Sequence, residues 1–155
     1  MRQRTLSLKG QPFSYLEQGP ADGELVLCLH GTGMNGGHMF QSFADCDRLK
    51  VMGEAGYLVA FPSSNHVSWG TGDEAAKARE LKLLRTAVET ILKEYKVDDR
   101  CVHTYGFSCG TVILALGVGF RGEWDGLKIR LVCGNSGGLD GKPVPAKAAL
   151  AKETA

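Results

Sequence analysis

The sequence of 155 residues contains no long apolar run, no excess of one charge and no C-x-x-C pair of cysteines. Its longest apolar stretch, Val112 to Phe120, is interrupted by glycine and is too short to cross a bilayer. The 18 basic and 17 acidic residues leave a formal net charge of +1, which argues against nucleic acid or a membrane surface as the main partner. The N-terminus lacks the apolar core of a secretory signal. These absences predict a cytoplasmic protein without a membrane span.

The cysteines predict no metal site. Their number is odd, and no Cys/His cluster has the spacing of metal ligands. We interpret them as small buried residues in a reducing compartment, and we expect neither a metal nor another cofactor. The five are Cys28, Cys46, Cys101, Cys109 and Cys133.

Glycine, in contrast, is abundant, with 21 residues, and 43% of the sequence is hydrophobic. The glycines follow apolar runs and therefore indicate tight turns in a folded protein, not a disordered tract. A chain of this length buries roughly 70% of the surface that it exposes when unfolded. We expect residues 1–155 to form one domain.

The apolar pattern predicts strands that alternate with helices. Thr5–Leu8 and Phe13–Glu17 alternate apolar with polar residues and predict an antiparallel hairpin. Ser63–Gly72, which contains Trp69, is predicted to be a surface loop. Further strands are predicted at Leu25–Leu29, Tyr57–Phe61, Cys101–Phe107 and Lys128–Cys133, and helices at His38–Ala55, from the cap Asp73 to Tyr95, and at Cys109–Phe120. This order predicts an α/β fold with a mainly parallel sheet flanked by helices.

Three glycine motifs suggest different chemistries. The first, Gly31-x-Gly33-x-x-Gly36, lies between a predicted strand and a predicted helix, as a dinucleotide-binding fingerprint does. That fingerprint needs an acidic residue at the end of the next strand to bind the ribose. Here the next strand ends in Phe61–Asn65, without a carboxylate. Nucleotide binding is therefore the weaker interpretation of this loop.

The second motif, Gly134-Asn135-Ser136-Gly137-Gly138, fits G-x-S-x-G and resembles the serine loop of chymotrypsin-like proteases. An α/β chain of this length cannot form the two β-barrels of those proteases. Turn residues and then Pro143 follow Ser136, so no helix is predicted after it. We interpret this segment as a glycine-rich turn at the end of a strand.

The third motif, Gly106-Phe107-Ser108-Cys109-Gly110, lies between a predicted strand and a predicted helix. Its two glycines permit a sharp, strained turn at which the serine hydroxyl projects from the carboxyl edge of the sheet. The start of the following helix directs backbone N–H groups toward developing negative charge. This register predicts that Ser108 is a nucleophile.

On these segments the chain resembles the α/β-hydrolases. Leu25–Gly31 resembles the third strand of that family with the His-Gly step that opens its oxyanion loop. Gly56–Pro62 resembles the next strand, and Val102–Gly110 resembles the nucleophile elbow. The resemblance extends from about residue 5 to about residue 140 and covers nearly the whole chain. It implies an α/β-hydrolase fold that lacks the last two strands of the family's sheet.

The resemblance also implies an acyl-transfer mechanism. Ser108 would attack an ester-like carbonyl, and the backbone N–H groups of Thr32 and Cys109 would form the oxyanion hole. His30 would have a structural role and hold the oxyanion loop by hydrogen bonds. The thiol of Cys109 is a further candidate for reactivity, because the start of a helix can lower the pKa of a thiol. A small residue that fills the elbow is the simpler interpretation of Cys109.

The sequence departs from the family's catalytic triad, whose order is Ser, then Asp or Glu, then His. All four histidines, His30, His38, His66 and His103, precede Ser108. His66 is the candidate base, because it follows a strand that ends at the same edge of the sheet, and His38 is a weaker one. His103 would lie about 16 Å from Ser108 along one strand, which is too far. Asp140 is the candidate acid, although Asp-Gly pairs commonly form turns, the interpretation that we favour.

Two functions follow from this sequence. The first is a serine hydrolase of the esterase type that acts on a small ester-like substrate through Ser108. The alternative is a non-catalytic relic of an α/β-hydrolase, or a binding module, because no histidine follows Ser108. In either case the predicted last strand would lie near an uncovered sheet edge, from which we expect self-association.

Overall fold

Strands and helices alternate in the computed structural model, which describes residues 1–8, 11–70, 72–95, 102–115, 124, 126–127 and 129–136. The strands are β1 (Arg2–Leu8), β2 (Gln11–Gln18), β3 (Leu25–Leu29), β4 (Leu58–Pro62), β5 (Val102–Phe107) and β6 (Ile129–Asn135). The helices are α1 (Gly36–Ala44), α2 (Arg48–Glu54), α3 (Glu74–Tyr95) and α4 (Cys109–Ala115). The predicted order of strands and helices is confirmed except that the first predicted helix is divided into α1 and α2. β3 has its predicted bounds, and the other strands are shifted by a few residues.

The six strands form one mixed sheet in the order β1-β2-β4-β3-β5-β6. β2 pairs antiparallel with both β1 and β4, whereas β4, β3, β5 and β6 run parallel to one another. The predicted hairpin and the mainly parallel sheet are therefore confirmed. Because the carboxyl ends of parallel strands meet at one edge, the segments that follow β3, β4 and β5 all start at that edge.

The central strand β3 has apolar side chains on both faces because helices cover both faces of the sheet. Leu25, Leu27 and Leu29 point into a core formed largely with α3. Val26 and Cys28 point to the opposite face, into a core formed with α1 and α2. Successive side chains of a strand point to opposite faces, so the five-residue apolar run fills two cores.

One predicted helix is two helices in the structure. The spacing of apolar residues predicts a continuous helix over His38–Ala55, but α1 ends at Ala44 and α2 begins at Arg48. Between them Asp47 has a φ of +56°, a left-handed conformation that aspartate tolerates better than most residues. Both helices bury apolar residues against the core, Met39 and Phe43 in α1 and Leu49 in α2, so the periodicity alone does not reveal the break. Val51 of α2 is instead 62% exposed.

The loop between β4 and α3 is exposed at residues 65–67, as predicted, but it is buried at Trp69. Trp69, its single tryptophan, is fully buried, and the indole Nε1–H donates a hydrogen bond to the backbone oxygen of His30 at 2.8 Å. Trp69 also has a φ of +55°. The indole ring needs both an apolar environment and an acceptor for its N–H group, and the neighbouring loop after β3 provides the acceptor.

Some predictions lie outside the described residues. These are the extension of α4 to Phe120, the last two residues of the Gly134–Gly138 motif, the candidate acid Asp140 and the segment that contains Pro143. In the part of the chain that the structure describes, no helix combines the length and the apolar content needed to cross a membrane.

Candidate active site

Ser108 occupies the sharp turn between β5 and α4. Its φ is +53°, in the left-handed region that residues other than glycine rarely adopt. Phe107 is the last residue of β5 and Cys109 is the first of α4, so the turn consists of Ser108 alone. The side chain of Ser108 is partly exposed. This is the conformation expected of a strained turn that presents a hydroxyl at the carboxyl edge of a sheet.

The two flanking glycines allow the close approach that this turn requires. A Cβ atom on Gly110 would lie 2.6 Å from the backbone oxygen of Leu29 and 2.7 Å from that of His30. A Cβ atom on Gly106 would lie 2.5 Å from the backbone nitrogen of Thr111. Any larger residue would push α4 away from β3 and β5.

One hydrogen bond to the end of β6 and one between α4 and β5 hold the turn. The backbone N–H of Ser108 donates to the backbone oxygen of Asn135 at 2.8 Å, and the hydroxyl of Thr111 donates to the backbone oxygen of Gly106 at 2.7 Å. The motif that contains Ser136 thus supports the turn at Ser108. Ser136 itself is exposed, has a φ of +57° and donates to the side chain of Asn135.

The loop after β3 packs directly against the serine. A Cβ atom on Gly31 would lie 2.9 Å from the ring of Phe107 and 3.3 Å from Cβ of Ser108. The side chain of the next residue, Thr32, acts on the thiol of Cys109 and opposes the rise of its pKa. The loop that carries Thr32 therefore lies against Ser108, and Cys109 directly follows Ser108 as the first residue of α4.

The Cys109 thiol is poorly suited to act as a nucleophile. The residue is buried, and its sulfur lies 3.9 Å from the backbone oxygen of His30. Burial raises the pKa of the thiol, and the side chain of Thr32 only partly opposes this shift. Because the thiolate is the reactive form, the geometry favours the interpretation of Cys109 as a small residue that fills the elbow.

His30 has the structural role expected of it. Its side chain is buried, and its Nδ1 lies 2.8 Å from the backbone oxygen of Gly31, to which it donates. Its Nε2 accepts a hydrogen bond from the backbone N–H of Ser64 at 3.1 Å, and its ring lies against that of Trp69 at 4.6 Å between centroids. Burial lowers the pKa of the imidazole, which matches a neutral ring with one donor and one acceptor.

The structure does not join a base to Ser108. His66 is exposed in the loop after β4, and among the described residues no hydrogen bond connects it to Ser108. His38 is exposed in the first turn of α1. His103 lies near the opposite end of β5, where its Nε2 is 2.8 Å from the carboxylate of Glu24. The pair with Glu24 holds His103 away from the turn at Ser108.

One buried carboxylate near the site was missed by the sequence reasoning. Glu80 of α3 is fully buried, and it contacts the loop after β4 through Ser64 and Asn65. Its position in the sequence indicates burial, because Glu80 shares the helix face of Leu84 and Ala87, which belong to the core. No group of three or more His, Cys, Asp or Glu residues in the described ranges is arranged to hold a metal ion.

No protein-family model matches this sequence, and no curated protein matches it. Solved structures do match. Epoxide hydrolase A from Mycobacterium thermoresistibile is similar with a TM-score of 0.59 and 18% identity, over 86% of this chain and 38% of its own. An acetyl xylan esterase from Aspergillus awamori has a TM-score of 0.57 and 15% identity, over 76% of this chain and 47% of its own. The Bacillus cereus carboxylesterase has a TM-score of 0.54 and 21% identity, over 70% of this chain and 54% of its own.

These neighbours are α/β-hydrolases, and the sheet order and the strand-to-helix turn described above define the same class of fold. The chain has the α/β-hydrolase fold. It spans 38% to 54% of the length of these three solved chains. The predicted fold class is confirmed.

Proposed function

We propose that the chain carries the acyl-transfer site of a serine hydrolase, with Ser108 as the nucleophile and a small ester-like molecule as the substrate. The observation that carries this proposal is the strained conformation of Ser108 at the carboxyl edge of the sheet. A φ above zero costs a residue other than glycine about 1–3 kcal/mol, and such strain is typical of functional sites. The similar carboxylesterase and acetyl xylan esterase support an ester as the substrate class.

The reaction would proceed through two acyl-transfer steps. The Ser108 oxygen attacks the carbonyl carbon and loses its proton to a base, and the carbonyl oxygen becomes an oxyanion that accepts hydrogen bonds from the N–H groups of Thr32 and Cys109. Collapse of this intermediate expels the alcohol, which takes up a proton, and leaves an acyl group on Ser108. Water then attacks the acyl group, releases the carboxylic acid and restores the hydroxyl.

A base and an acid complete the proposed mechanism. His66 is the proposed base, since the loop after β4 that carries it is bonded to the oxyanion loop by a 3.0 Å hydrogen bond from the Gly33 N–H to the Val67 backbone oxygen. A base must come within hydrogen-bond reach of the hydroxyl, which requires movement of the exposed His66 side chain. Asp140, outside the described residues, is the proposed acid.

The second candidate function is that of a non-catalytic domain. It is favoured by one observation, that no histidine in the described part of the chain is hydrogen-bonded to Ser108. An oxyanion hole without a base retains part of the rate acceleration of a serine hydrolase. The two candidate functions therefore differ in one outcome. A serine hydrolase is acylated at Ser108 by a reactive ester, and a non-catalytic domain is not.

The test is the reaction of the chain with p-nitrophenyl acetate, followed by p-nitrophenolate release. We expect slow acylation of Ser108 in the wild type and its loss in Ser108→Ala. Ser136→Ala is the matched control, because Ser136 lies in the other G-x-S-x-G motif and also has a positive φ. It should react like the wild type.

Three outcomes are informative. Equal p-nitrophenolate release by the wild type and Ser108→Ala would refute the catalytic proposal and favour the non-catalytic domain. Loss of reaction in Ser136→Ala alone would move the nucleophile to Ser136. Slower acylation in His66→Ala than in the wild type would identify His66 as the base.

We also propose a cytoplasmic location for the protein. The described cysteines, Cys28, Cys46, Cys109 and Cys133, are all free thiols, as is usual in a reducing compartment. Mass spectrometry of the protein purified without reductant tests this assignment. Alkylation of Cys46 and Cys133, the two exposed thiols, is expected.

A further inference from the structure

Glu80 of α3 lies fully buried beneath the loop that follows β4. Its Oε2 accepts a hydrogen bond from the hydroxyl of Ser64 at 3.1 Å, and its Oε1 accepts one from the backbone N–H of Asn65 at 3.3 Å. Both carboxylate oxygens are therefore used to hold two successive residues of one loop.

Ser64 connects this carboxylate to the loop after β3. While its hydroxyl donates to Glu80, the same oxygen accepts the backbone N–H of His66 at 2.9 Å. The backbone N–H of Ser64 donates to Nε2 of His30 at 3.1 Å. The position of Ser64 thus determines whether Nε2 of His30 keeps its hydrogen-bond donor. A donor at Nε2 in turn keeps the ring proton on Nδ1.

The chain of contacts ends beside the nucleophile. The Nδ1–H of His30 donates to the backbone oxygen of Gly31 at 2.8 Å, and Gly31 packs against Ser108. The backbone oxygen of His30 accepts from Trp69, which belongs to the loop that Glu80 holds. One buried carboxylate therefore supports both sides of His30, the ring through Ser64 and the backbone through the loop that carries Trp69.

We infer that Glu80 is a positioning residue, which sets the oxyanion loop at Gly31–Thr32 through Ser64 and His30. The inference rests on the proposed acyl transfer at Ser108. A carboxylate at a core position is costly, because burial penalises the charged form, and an apolar residue of similar size commonly stabilises a protein as well or better. The charge is better explained by the loop donors that it orders than by the packing of α3.

The test compares Glu80→Leu, which removes both acceptors at similar size, with Glu80→Gln, which keeps one carboxamide oxygen. Glu89→Gln is the matched control, because Glu89 lies on the exposed side of α3. We expect Glu80→Leu to slow the acylation of Ser108 by p-nitrophenyl acetate about tenfold or more at an unchanged half-saturating concentration. Glu80→Gln should recover most of that loss, and Glu89→Gln should react like the wild type.

The His30 ring gives a readout that does not depend on catalysis. In ¹⁵N NMR spectra we expect a single tautomer, protonated at Nδ1, in the wild type and in Glu80→Gln. Glu80→Leu should shift the Nε2 resonance, because the hydrogen bond from Ser64 weakens. If the wild type is not acylated, the proposed function fails, and the NMR shift alone still decides the role of Glu80.

Other outcomes would overturn the inference. These are a folded Glu80→Leu variant with unchanged acylation and unchanged His30 resonances, or a slowed variant that Glu80→Gln does not recover. Should Glu80→Leu fail to fold, Ser64→Ala replaces it, because it removes the hydroxyl bridge and keeps the backbone donor to His30. Ser64→Ala is expected to show a smaller loss of acylation with a shifted Nε2 resonance, and no change in either would contradict the inference.

Discussion

Four residues other than glycine have positive φ angles in the described part of the chain, and Ser108 is the one at which strand, turn and helix meet. The others are Asp47, Trp69 and Ser136. The strained backbone at Ser108 persists because neighbouring atoms leave it no alternative. Gly106 and Gly110 have no side chains and so allow the neighbouring backbone to approach this closely. The backbone oxygen of Asn135, in the next strand, accepts a hydrogen bond from the N–H of Ser108.

Gly110→Ala tests the close approach at the turn. The added Cβ would meet the backbone oxygens of Leu29 and His30, so we expect a loss of about 1–3 kcal/mol in the free energy of unfolding. Gly53→Ala is the control, because a Cβ there meets no atom within 4 Å and the helix α2 favours alanine by about 0.5–1 kcal/mol. Urea denaturation measures both, and equal effects of the two substitutions would contradict the packing argument.

His30 predicts a pH dependence of stability. Burial holds the pKa of its imidazole below the ordinary value of 6.5 in the folded state. As the pH falls through that value, the unfolded chain binds a proton that the folded chain does not, so the free energy of unfolding decreases. Each unit by which the folded pKa is lowered contributes about 1.4 kcal/mol to this loss. An NMR titration of His30 tests the premise, and protonation at or above pH 6.5 would contradict it.

At the scale of elements, α3 begins at a cap that the sequence predicts. The side chain of Asp73 accepts hydrogen bonds from the backbone N–H groups of Ala75 at 2.8 Å and Ala76 at 3.1 Å. These two bonds lower the pKa of the Asp73 carboxyl. The carboxylate therefore stabilises the helix above its ordinary pKa of 3.8, and the stabilisation is lost as the pH falls through the lower folded value.

We therefore expect Asp73→Ala to lower the midpoint of thermal unfolding at pH 7. Asp73→Asn should retain most of the stability, because its amide oxygen can accept the same bonds. At strongly acidic pH the difference between Asp73→Ala and the wild type should shrink. Circular dichroism at both pH values measures it, and a pH-independent difference would show that the charge of the cap contributes nothing.

The elements that could be predicted are those whose pattern is local. β3 and the elbow were recognisable because apolar runs and glycine spacing encode them directly. The break at Asp47 and the burial of Trp69 were not, because tertiary contacts decide them, such as the acceptor that His30 offers to the indole. Glu80 lies between these cases, since its helical position indicates burial, while its loop partners Ser64 and Asn65 are defined only in the folded chain.

At the scale of the whole molecule, β6 lies at one end of the sheet and, among the described strands, pairs with β5 alone. Its residue Leu131 is 55% exposed. A strand with unpaired backbone groups and exposed apolar side chains is a template for pairing with another chain. We propose that the protein self-associates through β6.

Leu131→Lys is expected to weaken this association, because a charged side chain on an edge strand opposes pairing. The control is Val51→Lys, since Val51 is also apolar and 62% exposed, and lies on α2 instead of the sheet edge. Sedimentation velocity at several protein concentrations distinguishes them. A monomeric wild type at high concentration, or equal effects of the two substitutions, would contradict the proposal.

The proposed role of Ser108 as a nucleophile is best tested by a covalent adduct on its hydroxyl. The intact protein is treated with a fluorophosphonate, which phosphonylates an activated serine with loss of fluoride, and the modified peptide is sequenced by mass spectrometry. We expect one adduct per chain, on Ser108, that is absent from Ser108→Ala and present in Ser136→Ala. No adduct in the folded wild type, or an adduct on another residue, would contradict it.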